Sequence, residues 1–522
     1  MAMNDTHSDS GLVLDRRQII TGAAALGLSA TFGALPAMAQ GTPKKGGTLR
    51  MGMEGGSASD SLDPRTYADS IPIAYSLMFW NTLVEIGTKG DATPELAESW
   101  ESKPGATDWI FNLRKGIKFT SGKTLDVDDV IYSIGLHRGD TKSPAKGLLE
   151  PIKEMKKLSP TQLQIILSAG NADLPYILSD YHMIIVPNGT KDFSKPDGTG
   201  AFTLEEWNPG VRIVGKRKPG NYWKPGRGNF DTVELRYIGD AAARTQALVT
   251  GQVDAVNRLD PKTVKLLMKN KNIHVSRSKG TGNRLAFVAL TDVDPFKSRD
   301  LVLAMKYGID RQKIIDNVYS GYATLGNDHT IGPALKYYDA KQKQRPYDPD
   351  KAKFYLKKSG YTGPIELQVS EGAYSGATDS GVLFQESFKK AGGNIELKRV
   401  SADGYWDNVW LKAPFCAVYW GNRPTADLQL SQTFLKGQAW NDTHYDNPKF
   451  DKLVIDARVE LDETKRKAMY AECQHLLSDE AGMICYAIGD QMDGGSTKLR
   501  GLEPHARYDM NDERLAEKGW FA

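Results

Sequence analysis

Residues 96–134, LAESWESKPGATDWIFNLRKGIKFTSGKTLDVDDVIYSI, decide how this chain folds. Trp109, Phe111 and Leu113 alternate with polar neighbours, and Ile117 and Phe119 do so again after the Lys115-Gly116 break, so both runs read as half-buried strands. Ser121-Gly122 turns the chain. Asp126 then stands where a carboxylate accepts hydrogen bonds from the free amides that open a helix, and Asp128 and Asp129 occupy the first turn, where the positive end of the helix dipole favours acid. Capping accounts for this acidic cluster without catalysis.

Strand and helix patterns continue to alternate on either side. A first strand over 45–53 leads through a Gly/Ser/Asp loop, past Leu62-Asp63-Pro64, into an apolar helix over 71–83. Val233, Leu235 and Tyr237 mark a strand, 241–250 a helix stopped by Gly251, and 253–256 a further strand, a strand–helix–strand unit that predicts an α/β sheet core. Asp260-Pro261 opens a short helix, and 299–318 reads as one amphipathic helix. No internal repeat, low-complexity run or Pro-rich linker interrupts the series.

In the first 39 residues, Arg16-Arg17 precedes a mildly apolar run over 19–35, and Ala37-Met38-Ala39 places small residues before a cleavage point. This is the pattern of an export signal of twin-arginine (Tat) type, with a Sec signal as the alternative. The run is rich in Gly and Ala and short beside the ~20 apolar residues a membrane span needs. The rest of the chain is too long for one core, so two or three lobes are expected. A net charge of +3, evenly spread, excludes a nucleic-acid binder. Three cysteines cannot all pair internally: either Cys473 and Cys485 bridge a helix to the next strand, or all three are small buried side chains.

Catalytic machinery is missing from the sequence. Eight histidines, at 7, 137, 182, 274, 329, 444, 475 and 505, include no pair with the i, i+4 spacing of zinc ligands. There is no nucleophile elbow, phosphate-binding loop or dinucleotide fingerprint, and Glu205-Glu206 reads as solvated. No enzyme, metal or cofactor is expected.

The 96–134 block contains an Ala-Glu-Ser-Trp opening, a Phe-x-Leu-Arg-Lys-Gly-x-x-Phe strand pair, a Gly turn and Asp-Asp-Val at a helix start. It resembles the signature region of the family 5 extracellular solute-binding proteins of ABC importers, the oligopeptide, dipeptide and nickel binders. The resemblance continues through GTGAFTLEEWNPGVRIVGKRKPGNYW (198–223), RTQALVTGQVDAV (244–256), DPFKSRDLVLAMKYGIDRQKII (294–315), YDPDKAKFYLKKSGY (347–361) and HYDNPKFDKLVIDAR (444–458). It implies a bilobal α/β periplasmic-binding-protein fold of type II, cluster C, with an extra third domain. Domain I would comprise 40–84, 190–283 and 491–522, domain II 85–189, and domain III 284–490, behind an export signal over 1–39. Hinge strands would cross near 281–285 and 485–491. The implied function is a periplasmic, monomeric receptor that takes peptides or peptide-like solutes into an interdomain cleft and delivers them to the transmembrane permease subunits of an ABC importer, whose ATPases are separate chains. An opine, a sugar conjugate or another modified amino-acid derivative is the alternative cargo, a chemoreceptor or folding-assistance role uses the same closed form, and a secreted hydrolase is the remote alternative.

The resemblance also places the cleft. In PFCAVYWGNRPTADLQL (414–430) an apolar strand ends at Tyr419-Trp420 and turns at Gly421-Asn422-Arg423-Pro424. Peptide-binding relatives carry at this turn an Asp that pairs with the peptide's amino terminus; here Asn422 stands nearest, and an amide offers no full negative charge. Arg423 reverses the local sign: facing inward it would grip a carboxylate or phosphate through two parallel hydrogen bonds, and facing outward it is an ordinary surface residue. Asp427 either meets a cationic ligand or caps a helix. Trp420, Trp440, Tyr445, Tyr486, Asn283 and Arg284 complete one wall, Tyr67 and Asp69 the other, and Trp406 reads as core.

Overall fold

A computed structural model describes residues 42–522; the export-signal reading of 1–39 lies outside them. The chain builds three principal sheets. At the centre of a seven-stranded sheet, Thr48–Met53 runs parallel to Thr232–Tyr237 on one side and to Ala255–Val256 on the other, with Met51 opposite both Leu235 and Ala255. The apolar helix Ser70–Phe79 covers this sheet, buried along its whole length. Arg284–Ala289, Phe415–Trp420, Met483–Gly489 and three further strands make a six-stranded sheet. The four-stranded sheet is antiparallel and contains Ala97–Ser102, Asp108–Leu113, Ile152–Ser159 and Gln162–Leu167. Each sheet packs its own apolar core, as period-2 strands require when one face must leave water.

Two adjacent segments join the large sheets. Ile273–Ser278 leaves the first sheet and continues as Arg284–Ala289 in the second, while Met483–Gly489 returns as Gln491–Ser496. Between them the Gly282 amide donates to Gly489 O at 2.9 Å, the Gly489 amide donates to Asn283 O at 2.9 Å, and the Gly280 amide donates to Asp490 Oδ1 at 2.9 Å. A Cβ at residue 282 would stand 2.8 Å from Gly489 O, so the close approach of the segments requires glycine there.

The helix expected after the quoted turn is Val127–Gly135, and its Asp126 and Asp129 form a reciprocal capping box. Two readings need correction. Ile117 and Phe119 are buried but belong to no strand: Gly116 takes a positive φ of 77°, the chain leaves the sheet, and only an isolated bridge joins Lys118 to Thr124. The long helix over 299–318 is two, Arg299–Gly308 and Arg311–Val318, because Asp310 caps the second by accepting from the Lys313 amide. Cys416, Cys473 and Cys485 are all free and buried, so Cys473 and Cys485 form no bridge. Among the described residues no helix is long and apolar enough to cross a membrane.

Candidate solute-binding cleft

The strands that continue into the crossing segments, Arg284–Ala289 and Met483–Gly489, are interior neighbours in the second sheet. Arg284 stands opposite both Trp420 and Ile488, so the end of Phe415–Trp420 lies beside the crossing segments. Past Trp420 the chain turns into helix Ala426–Phe434, whose Thr425 cap accepts from the Leu428 amide at 3.2 Å. This fixes the turn between them. The Arg423 amide donates to Gln429 Oε1 at 3.0 Å and its Nε donates to Gln432 Oε1 at 2.6 Å. Its guanidinium lies over the rings of Trp420 and Trp440, at 6.0 and 5.9 Å. Arg423 makes no ion pair among the described residues, and burial lowers its pKa from the ordinary value. Asn422 Oδ1 is buried without a donor. Both residues line a narrow crevice of about 20 Å³, room for about one water, whose other side is formed by Tyr176, Ser179, Lys336 and Arg507.

Aromatic rings continue this wall. Tyr419 is 40 % exposed and Trp440 46 %, and Trp406, only partly buried, meets Tyr419 edge-on at 5.4 Å. Beneath them Asp442 Oδ2 accepts from Trp410 Nε1 at 3.1 Å and from Trp420 Nε1 at 3.0 Å. Burial pushes the Asp442 carboxyl up to about 7, against the two indole hydrogen bonds.

Opposite charges gather on the first sheet. Glu54 follows Thr48–Met53, Asp69 caps Ser70–Phe79, and Arg258 follows Ala255–Val256, so all three lie past the carboxyl ends of parallel strands, where open α/β sheets bind ligands. Arg258 pairs with Glu54 at 3.1 Å, Asp69 at 2.9 Å and Asp509 at 2.9 Å. Burial works against its charge, but Asp509 and Asp69 outweigh it and hold the guanidinium above its ordinary value. Behind this group burial, then Asp509, drives Asp493 and Glu513 upward.

Of the residues singled out in the sequence, Trp420, Asn422, Arg423 and Trp440 come together, Asp69 lies beside Arg258 on the first-sheet lobe, and Asn283 is an exposed side chain at the crossing. Five others are engaged elsewhere. Tyr67 is fully buried and its Oη donates to Leu62 O at 2.9 Å. Tyr486 is fully buried, stacked on Phe287, and donates to Tyr374 Oη at 2.9 Å. Tyr445 donates to Glu480 Oε2 at 3.0 Å from a buried ring. Arg284 is fully buried and donates to Thr330 O at 2.8 Å and Gly282 O at 3.0 Å, and desolvation takes its pKa down to about 10. Asp427 is buried in the first turn of its helix and held by Arg458 at 3.0 Å. Glu54, Arg258 and Asp442 were not anticipated, because no local motif marks them.

Glu85, Glu95 and Glu517 bring three carboxylates within metal-binding distance of one another, between the first and third sheets. Cations already occupy the cluster: Lys224 reaches Glu85 at 3.0 Å and Glu517 at 2.9 Å, and Arg514 reaches Glu95 at 2.8 Å. Burial alone would raise Glu95, but Arg514 and Lys224 win and hold it at about 2. The cluster fastens the two sheets and leaves no room for an ion's charge.

Two α/β lobes joined by paired crossing segments, with a third sheet carried alongside and an aromatic, charged wall at the junction, define a periplasmic-binding-protein fold of type II, cluster C. The family described as "Bacterial extracellular solute-binding proteins, family 5 Middle" matches residues 91–442, and the chain belongs to it. Glutathione-binding protein GsiB of Shigella flexneri is 25% identical over 484 residues, covering 88% of this chain and 93% of its own. Among solved structures, HbpA2 from Haemophilus parasuis superposes with a TM-score of 0.80 at 19% identity, over 91% of this chain and 100% of its own. AgaA of A. tumefaciens R10, in complex with agropinic acid, gives 0.70 at 22% identity, over 91% and 99%. The protein is therefore a non-catalytic periplasmic receptor that captures small solutes for ABC-type import.

Proposed function

We propose that this receptor captures a peptide-like solute bearing an anionic group, and that Arg423 receives that group. The observation that carries the reading is a guanidinium backed by two indoles and without a carboxylate partner among the described residues, beside a narrow crevice between the lobes and the exposed rings of Tyr419 and Trp440. A planar fork so placed suits a carboxylate or phosphate, and the rings limit its motion. Asn422 offers no carboxylate for an ammonium group, and Glu54 and Asp69 on the first-sheet lobe are already matched by Arg258 and Arg244, so the anionic end of the solute is the one this site selects. The exposed rings of Tyr419 and Trp440 suit a flat or cyclic moiety, which keeps opines and sugar conjugates beside linear peptides. The names of GsiB, a glutathione binder, and of AgaA with agropinic acid agree with an anionic amino-acid derivative.

The lobes we assign are 40–84 with 190–283 and 491–522, then 85–189, then 284–490. Solute bound to one large lobe favours closure by rotation about 281–285 and 485–491, and the closed form is the one transmembrane permease subunits recognise, with ATP hydrolysis on separate subunits. Mass spectrometry of solute released by denaturing the purified protein tests the reading. An anionic amino-acid derivative is expected, retained at least about tenfold less by Arg423→Met. A cationic or uncharged solute, or equal retention, would overturn the assignment.

A further inference from the structure

Two basic stretches have no part in the cleft. Arg114-Lys115-Gly116-Ile117-Lys118 follows strand Asp108–Leu113 of the third sheet, and Lys216-Arg217-Lys218-Pro219-Gly220-Asn221-Tyr222-Trp223-Lys224 begins at the end of Arg212–Arg217 in the first. About a hundred residues apart in sequence, they converge on Trp223. Two cavities of about 340 and 690 Å³ meet there, sharing Ile117, Trp223 and Arg227 in their walls.

The charges around these cavities do not balance. Arg217 is paired with Asp231, and Lys224 and Arg227 are paired with Glu85 and Glu517. Lys45, Arg114, Lys115, Lys118 and Lys218 line the same two spaces and make no ion pair among the described residues. Lys218 is the most enclosed of them: its Nζ donates to Gly198 O at 2.6 Å, and burial lowers its pKa to about 8, with Asp197 acting in the opposite sense. Lys45 Nζ donates to Asn221 Oδ1 at 3.1 Å, and Arg114 donates to Glu95 O at 2.7 Å with its guanidinium 6.0 Å above the Trp223 ring. The one further carboxylate in either wall, Glu98, is exposed and makes no ion pair.

Lys45, Lys118 and Lys218 share the smaller wall and Arg114 and Lys115 the larger. Like charges sharing a wall without counter-charge repel one another, and for the half-buried Arg114 and Lys218 enclosure weakens the screening that water gives to the exposed Lys45, Lys115 and Lys118. An oxyanion in their midst removes that repulsion and accepts several charge-assisted hydrogen bonds at once. We propose that the cavity between the first and third sheets is a second binding site, distinct from the solute cleft, that takes a phosphate-type oxyanion. Ammonium groups arriving from separate directions act as point charges around a tetrahedral anion, whereas a planar carboxylate is better served by a single guanidinium fork. The smaller cavity, at 340 Å³, lies at the low end of ligand-pocket sizes and holds a phosphate group with a small substituent. Because its wall comes from segments that leave two different sheets, occupancy ties them together and adds to the stability of the folded chain.

Replacing chloride by inorganic phosphate at constant ionic strength, while following the thermal midpoint of the full-length protein, provides the test. A saturable rise is expected for the wild type, with phosphate affinity about three- to tenfold weaker in Lys118→Ala, whose side chain is exposed and outside any strand, and in Lys218→Met. Flotation with phosphatidylglycerol vesicles and not with phosphatidylcholine vesicles, lost in Lys118→Ala, would assign the oxyanion to a lipid head group; a phosphate response without flotation would assign it to a free phosphate compound. A midpoint indifferent to phosphate, or an identical phosphate response in wild type and Lys118→Ala, would overturn the site.

Discussion

Asp442 is a carboxyl group enclosed by indoles, and its titration is a consequence of that enclosure. Its folded pKa of about 7 lies above its ordinary 3.8, so between those values the folded chain holds a proton the unfolded chain has released. Stability therefore falls as pH rises from about 4 to 7, and the penalty is complete above 7. Asp442→Asn removes the titration but keeps an oxygen that accepts from Trp410 and Trp420. Relative to wild type, it should gain about 2.5 kcal/mol between pH 5 and pH 8 in urea unfolding; parallel pH profiles would show that Asp442 titrates normally. At this scale the sequence was only partly legible. Asn422 and Arg423 could be placed because they leave the end of an apolar strand, but Tyr486 and Tyr67 could not, since position along a chain does not say which face a ring takes. Arg258 and Glu54 were invisible for another reason: their pairing spans 204 residues.

At the scale of elements, local chemistry was legible wherever it was decisive. The Asp126 and Asp129 carboxylates close the capping box of Val127–Gly135, but they are not equivalent. Asp126 accepts from the Asp128 amide at 2.9 Å at a partly exposed helix end. Asp129 is fully buried, accepts from the Asp126 amide at 2.9 Å and the Asn188 amide at 2.7 Å, and pairs with Lys123 at 2.6 Å. Asp126→Ala should cost about 1 kcal/mol, the ordinary worth of a cap. Asp129→Ala should cost about 3 kcal/mol, because it also empties a buried site and removes the partner of the Asn188 amide and of Lys123. Chemical denaturation of both variants checks the order, and equal losses would reduce Asp129 to a simple cap. The misread elements fail for the complementary reason. Ile117 and Phe119 alternate like a strand and are buried like one, but the positive φ of Gly116 takes them off the sheet; in 299–318 an acid inside an amphipathic run caps a second helix, and periodicity is blind to that.

Across the whole molecule the three sheets are held by different kinds of contact, and that difference bears on how the cleft can move. The third sheet is fastened to the first by the buried cluster of Glu85, Glu95, Lys224, Arg514 and Glu517. It meets the second through one buried pair, Asp173 with Arg466 at 2.7 Å, their side chains 4% and 3% exposed, through the Ala172 amide donating to Arg458 O at 2.8 Å, and through Lys336 over the Tyr176 ring at 5.4 Å. None of this was legible from periodicity, because each contact joins segments that share no local pattern. On the closure we propose, rotation of the second sheet about 281–285 and 485–491 leaves the cluster intact but shears the Asp173–Arg466 contact. On that proposed motion, a contact present while Tyr419 and Trp440 stand exposed opposes closure. Asp173→Asn alone strands a buried guanidinium and should cost about 3 to 5 kcal/mol, whereas the double variant Asp173→Asn, Arg466→Met removes both charges and should lie within about 2 kcal/mol of wild type. With the contact gone, the solute-free chain should populate the closed form more often, seen as a smaller radius of gyration in solution scattering and tighter retention of co-purified solute. An unchanged radius in a folded double variant would mean that the contact travels with the lobes and does not oppose their closure.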